Sequence, residues 1–298
     1  MEIRRFLITI TIILIAGLIL GIWFFPINQD FRVENPFWNG IDDMSTKYHM
    51  QPLDSLADLP LSPDSATCIT IPYLSYTPAE LEQLNHFISS GGRLILADDY
   101  GHGNQVLEYL GLGVRFTGQT LLDPLVNYKN KYFPRIVNFQ PDPLTSNTDN
   151  LVFNHGTSLT GVNAADTIAL SSTFSFLDNN DNGIHEDNEP VGPLPVISRH
   201  NLGSGQVILV ADPSLFINGM DKVEDNAEFM QNISATTNVL YVDQSHLKIS
   251  ELQRSKRWLR QVRGLFINPA GTVALVAVAI AAVSIPIWRK KKESNDSA

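Results

Sequence analysis

The stretch Thr77-Pro78-Ala79-Glu80-Leu81-Glu82-Gln83-Leu84-Asn85-His86-Phe87-Ile88-Ser89-Ser90-Gly91-Gly92-Arg93-Leu94-Ile95-Leu96-Ala97-Asp98 decides the fold class. Thr at the N-cap, Pro in the first turn and Glu three residues on make a helix start. Leu81, Leu84, Phe87 and Ile88 then share one helical face, and Gly91-Gly92 ends the helix. Leu94 to Ala97 is a continuous apolar run, as in a strand buried on both faces. Upstream, Thr67-Cys68-Ile69-Thr70-Ile71 reads as a short buried strand. Downstream, Asn104 to Leu110 reads as a helix and Gly113-Val114-Arg115-Phe116 as a third strand. Strand, helix, strand, helix at this spacing predicts a parallel sheet covered by helices.

Further along, residues 117–165 are rich in Pro, Asn and Asp and offer only short strands such as Arg135-Ile136-Val137-Asn138-Phe139. Residues 167–178 read as one or two strands. Pro195 to His200, Gly203-Ser204-Gly205 and Gln206 to Asp212 read as a hairpin whose second strand is buried. Asp225-Asn226-Ala227-Glu228 is read as capping a helix with Phe229 and Ile233 inside, and Val239 to Asp243 as closing the sheet. Cys68, the single cysteine, excludes an internal disulfide framework and is expected as a buried core thiol.

The run from Ser75 to Phe116, with Gly91-Gly92-Arg93-Leu94-Ile95-Leu96-Ala97-Asp98-Asp99-Tyr100-Gly101, resembles an uncharacterised family of membrane-anchored domains. So does Gly203-Ser204-Gly205-Gln206-Val207-Ile208-Leu209-Val210-Ala211-Asp212-Pro213-Ser214-Leu215-Phe216-Ile217-Asn218. That family is related to the class I glutamine-amidotransferase fold, and the resemblance covers most of residues 30–250. It implies a flavodoxin-like three-layer α/β domain and no particular activity. The chain departs from amidotransferases where their chemistry lies. It has no Gly-x-Cys-x-Gly or Gly-x-Ser-x-Gly elbow, and Cys68 sits inside a strand. Glutaminase chemistry is not expected, and no catalytic residue is assigned.

Residues 1–5 form a short tail, and 6–25 an uncharged apolar run of the length that crosses a bilayer. No small-x-small cleavage site follows it, which favours an anchor over a signal peptide. A second apolar run spans 267–288 and is followed by a basic tail, 289–298, beginning Arg289-Lys290-Lys291-Lys292. Basic residues at both outer flanks place both termini in the cytoplasm and the main domain outside. Arg254, Lys256, Arg257, Arg260 and Arg263 resist this topology, although long loops translocate largely regardless of charge. Between the spans, 26–65 is expected as a stalk and lead-in with Trp38 packed on the domain. Residues 66–250 are expected as the α/β domain, and 251–266 as an amphipathic helix on anionic headgroups.

Residues 26–250 carry 10 Lys and Arg against 27 Asp and Glu, a net of −17, which excludes nucleic acid as a partner. Asn232-Ile233-Ser234 is a glycosylation sequon if the domain is external.

Residues 178–189 have the spacing of a twelve-residue calcium loop. Asp178, Asn180, Asn182 and Glu189 supply side-chain oxygens and Ile184 a carbonyl. Glu186 takes the position that often acts through water, and Gly183 the sharp turn. Asp, Asn and Gly are also ordinary turn formers, so a plain surface turn is the competing reading. The strand-like Thr173 to Leu177 and the following Pro190 point to an isolated loop between strands, stapled by calcium, rather than an EF-hand pair.

In an open α/β sheet, ligands bind beyond the carboxyl ends of the strands. Asp98, Asp99, Asn104, Asp212 and Ser214 fall there as a possible ligand pocket or second cation site, or else as turn formers. His155, His200 and His246 have no metal-type spacing, and Asp243-Gln244-Ser245-His246 lies where the domain meets the membrane-proximal helix. The expected function is a non-enzymatic extracytoplasmic binding or accessory domain beside other membrane proteins. A hydrolase using Asp98, Asp99 and Asp212 is the alternative, and a transporter-associated structural subunit a third.

Overall fold

The computed structural model describes residues 2–269, 271–273, 277 and 280. Its helices are α1 (Glu2–Phe24), α2 (Asp42–Lys47), α3 (Pro78–Ser89), α4 (Asn104–Tyr109), α5 (Asn226–Ala235) and α6 (Glu251–Ile267). The strands of the main sheet are β1 (Gln51–Leu53), β2 (Ala66–Thr70), β3 (Arg93–Ala97) and β4 (Asn138–Phe139), then β5 (Thr167–Leu170), β6 (Pro195–Leu202), β7 (Gly205–Val210) and β8 (Val239–Asp243). The chain divides into two units, 1–25 with 249–298, and 26–248.

In the larger unit the start signal at Thr77 is a complete capping box. The Thr77 hydroxyl accepts from the Glu80 N–H, and the Glu80 carboxylate accepts from the Thr77 N–H at 2.8 Å. Past the helix, Gly91 takes φ +109°, a left-handed conformation that turns the chain into β3. The resulting sheet is mixed, ordered β1-β8-β2-β3-β7-β6-β5-β4. β1, β8, β2, β3 and β7 run parallel, while β6, β5 and β4 continue it antiparallel. Every residue of β2 is buried, and so are Leu94–Ala97 of β3, as their apolar sequence requires. Gly205 starts β7 beneath α3, where an added Cβ would stand 2.1 Å from the Ile88 carbonyl oxygen.

Some elements differ from the sequence reading. Arg115–Phe116 pairs with Leu159–Thr160 off the main sheet. Arg135–Phe139 splits, so that Arg135–Ile136 pairs with Leu151–Val152 and Asn138–Phe139 becomes β4. β8 runs inside the sheet because residues 26–65 supply β1 beyond it. That segment, read as a stalk and lead-in, also buries Phe31, Ile41, Met44 and Leu56. Asp225 does not cap α5 with its side chain. Its carboxylate accepts instead from the N–H groups of Asp149 and Asn150, both at 2.9 Å. The sequon residue Asn232 spends its amide on the carbonyls of Leu144 (3.1 Å) and Ser146 (2.8 Å). Cys68 is a buried core thiol, and burial pushes its pKa up.

Arg32 joins the start of this unit to its end. It is fully buried and donates to the carbonyls of Gln244 (2.7 Å), Leu247 (2.7 Å) and Lys248 (2.9 Å). The Gln244 side chain returns the contact, accepting from Val33 N–H and donating to the Phe31 carbonyl, each at 3.2 Å.

In the smaller unit, Ile3–Phe24 is long and apolar enough to cross a membrane, a property that signal sequences share. α6 begins at a Ser250 cap, and Arg263 lies over the Trp23 ring, 5.5 Å from its centroid. Most of the second expected span, 267–288, and all of the basic tail, 289–298, lie outside the described residues.

Arg32→Ala strands three carbonyls, two of them buried, that a charged donor satisfied. The expected loss is about 3–5 kcal/mol by urea unfolding, with Arg32→Lys recovering only part of it. A loss under about 1 kcal/mol would show that Arg32 does not hold the two ends together.

Candidate functional site

Three parallel strands are each followed at the carboxyl edge of the sheet by a buried aspartate. Asp98 follows β3, Asp212 follows β7 by two residues, and Asp243 ends β8. Asp98 accepts from the N–H groups of Tyr100 (2.9 Å) and Gly103 (2.6 Å). Asp212 accepts from Ser214 N–H at 2.7 Å and from Asn154 N–H at 2.5 Å. Asp243 accepts from Ser245 N–H, the Thr70 hydroxyl and His246 Nδ1 at 2.8, 2.9 and 2.6 Å. Burial raises Asp98, against the pull of its N–H partners. Burial would also raise Asp243, but the hydrogen bond and charge of His246 outweigh it and hold Asp243 below the usual carboxylate range.

Asp99 has no such arrangement. Burial, then the neighbouring charges of Asp212 and Asp98, push its carboxyl up to about 8. Asp212 is itself pushed up to about 7 by burial. Both Asp212 oxygens accept short backbone bonds, which favours its carboxylate form. Asp99 is therefore the member of the pair that keeps its proton longer as pH rises.

Asp99 opens onto a cleft of about 420 Å³. Phe31, Trp38, Tyr73, Tyr100 and Phe133 form its aromatic walls, and Asp30, Asn39, Asn154, His155 and Ser214 its other polar groups. Phe31 and His155 stand at φ 58° and 56°, a left-handed conformation unusual for either residue. The His155 ring stacks on Tyr132 at 4.9 Å, its Nδ1 lies 2.9 Å from Asn154 Oδ1, and burial lowers its pKa. The ring is consequently neutral at pH 7.

Of the five residues read as a pocket, Asp99 and Ser214 line the cleft. Asp98 and Asp212 are turn acceptors behind it, so the three carboxylates do not present themselves together for hydrolysis. Asn104 clamps the backbone of Phe116, donating to its carbonyl and accepting from its N–H, both at 2.9 Å. The Ser214 hydroxyl donates to the Asn154 carbonyl at 3.3 Å. Asp30, Trp38, Tyr73 and Asn154 escaped the sequence reading because they come from separate segments with no shared spacing. Trp38, expected to pack on the domain, is instead 68% exposed at the cleft.

His246 and His200 are occupied. His246 is buried against Asp243 with Tyr76 stacked at 3.8 Å, and His200 lies 3.0 Å from the Ser198 hydroxyl.

The loop 178–189 leaves the strand Phe176–Asp178, which pairs with Thr120–Leu122, so it connects strands and not helices. Asp178 accepts from the N–H groups of Asn182 (3.2 Å) and Gly183 (2.6 Å). Glu189 accepts from those of Asn179 (2.8 Å) and Glu186 (3.0 Å). Asn180 and Asn182 carbonyl oxygens accept from Asn182 and Ile184 N–H groups at 3.1 and 2.6 Å. Both amides also donate to Glu186 Oε1, at 3.3 and 2.9 Å. The Lys131 ammonium donates to the Gly183 carbonyl. Among the described residues no three His, Cys, Asp or Glu side chains form a metal-holding group.

The folded pKa of Asp99 lies above its unfolded value, about 3.9. The stability tied to its proton is complete below about pH 4 and is lost as pH rises through about 8. Asp99→Asn should therefore raise the melting temperature at pH 8 to 9 and leave it nearly unchanged at pH 4. Parallel melting curves across this range would exclude a buried, protonated Asp99.

No curated protein sequence matches the chain. Similar solved structures include the mmIFT52 N-terminal domain, at 15% identity and TM-score 0.49, covering 71% of this chain and 95% of that one. A ThuA-like protein from Bacteroides uniformis matches at 10% identity and TM-score 0.38, covering 65% of this chain and 82% of that one. A β-galactosidase from Bacillus circulans matches at 13% identity and TM-score 0.37, covering 59% of this chain but only 23% of its own. Likenesses this low transfer no activity. Residues 43–233, more than half of the chain, match the family described as "Domain of unknown function (DUF4350)", and the chain belongs to that family.

Proposed function

We propose that this chain is a membrane-anchored, extracytoplasmic binding domain. It offers the cleft beyond β3 and β7 to a small ligand and works beside other membrane proteins. The observation that carries this reading is Asp99, a carboxyl held at about 8 in an aromatic-walled cleft at the carboxyl edge of a largely parallel sheet. Catalysis has little support there. Asp98 and Asp212 are spent on turns, Cys68 is buried within β2, and the Ser214 hydroxyl donates to the Asn154 carbonyl. The finer fold reading is a catalytically degenerate, flavodoxin-like relative of the class I glutamine amidotransferases. Its five parallel strands support this, as does the cysteine sitting inside a strand instead of on a turn.

Anchoring is by the apolar run at 6–25 and by a second span at 267–288, with both termini cytoplasmic. α6 lies on anionic headgroups through its arginines, with Trp258, 61% exposed, at the same surface. Calcium occupies the loop 178–189 as a staple. Asp178 and Glu189 are already set by backbone N–H groups and keep lone pairs for an ion.

Binding is tested on the full chain in maltoside micelles by thermal melts against alkylamines, amino acids, sugars and nucleosides. A ligand of the cleft raises the melting temperature with concentration, and Tyr100→Ala abolishes the rise. If no compound gives a rise that depends on Tyr100, the cleft is not a binding site. Calorimetric titration with calcium is expected to show one site per chain and a higher melting temperature. Glu189→Gln removes both effects. Titration without heat returns the loop to a plain acidic turn.

A further inference from the structure

The charge and surface of the cleft restrict what it can hold. Asp30 and Asp99 line it, Asp98 and Asp212 are buried directly behind Asp99, and no lysine or arginine is among its lining residues. An anionic ligand would face this carboxylate group with no cationic side chain in the lining to offset it. A neutral ligand would leave the group as it stands. A cation neutralises it, and the −17 balance of residues 26–250 draws cations toward the domain.

The aromatic walls decide which kind of cation. A hydrated metal ion needs six or more oxygens, and much of this lining is ring surface. Ring faces attract ammonium groups that carry alkyl substituents. Tyr73 and Tyr100 meet at a centroid distance of 6.4 Å with planes inclined by 58°, two walls of a corner. Tyr73 already receives an ammonium, since Lys248 Nζ lies 5.6 Å from its ring centroid. A volume of about 420 Å³ suits a small organic molecule.

We propose that the cleft binds an organic cation, a substituted ammonium whose alkyl groups lie against Trp38, Tyr73 and Tyr100 while Asp30 and Asp99 face its charge. This assignment rests on the reading of the cleft as a binding site and names its ligand class. Asp99 keeps its proton in the empty cleft because no positive charge meets it there, and a bound cation displaces that proton and faces the carboxylate.

The test is calorimetric titration of the full chain in maltoside micelles with two probes of nearly equal shape, choline and its uncharged isostere 3,3-dimethylbutan-1-ol. Choline should bind roughly tenfold more tightly or better. At pH 9, above the pKa of about 8, Asp99→Asn should weaken choline by about tenfold and leave the alcohol unchanged, with the melting curve confirming that the variant is folded. Tyr100→Ala, at an exposed position, should weaken choline by a further several-fold. Equal affinity for the two probes overturns the cation assignment and leaves the binding site standing. Choline binding that is unaffected by both substitutions places the cation elsewhere and overturns it too. Binding of neither probe overturns the ligand class, while the compound screen above judges the site separately.

Discussion

Buried carboxylates held by backbone N–H groups organise the carboxyl edge of this sheet. A carboxylate removed from water is costly unless hydrogen bonds replace its hydration. Asp98, Asp212 and Asp243 meet that requirement locally, taking N–H groups from the turn that follows their own strand. Each bond also fixes the loop that donates it. Asp98 sets the turn into α4, and Asp212 reaches a second segment by accepting from Asn154. The same device recurs at Asp123, which accepts from Val126 N–H at 2.7 Å, and at Asp178 with Gly183.

This arrangement leaves one group out. Asp99 follows Asp98 in sequence, yet the N–H groups of the adjoining turns go to Asp98 and Asp212. Burial and adjacent negative charge therefore keep its proton on. A site that carries such a group sacrifices local stability, and it is also chemically distinct from the rest of the acidic surface. Its aromatic surroundings make the difference usable for recognition.

The wall opposite is brought in by a separate clamp. Arg32 and Gln244 bind the lead-in segment to the residues after β8, and this places Asp30, Phe31 and Trp38 beside Tyr73 and Asp99. The cleft is thus closed by residues far apart in the chain. Part of it lies outside residues 43–233, the span that matches the DUF4350 family.

The sequence by itself determined the elements whose signals are local. The capping box at Thr77, the left-handed glycine at 91, the apolar runs of β2, β3 and β7 and the acidic loop 178–189 depend on neighbours within a few residues. It also placed strand-end aspartates at the edge where ligands bind. Only the tertiary structure decided which aspartate is spent and which is left. Asp98 and Asp99 are adjacent and chemically identical, and they differ in which N–H groups the folded chain delivers to them and in which of them opens onto the cleft. Likewise β1, Trp38 and His155 joined the sheet or the cleft through contacts across long sequence separations. Those contacts carry no periodicity that a linear reading can detect.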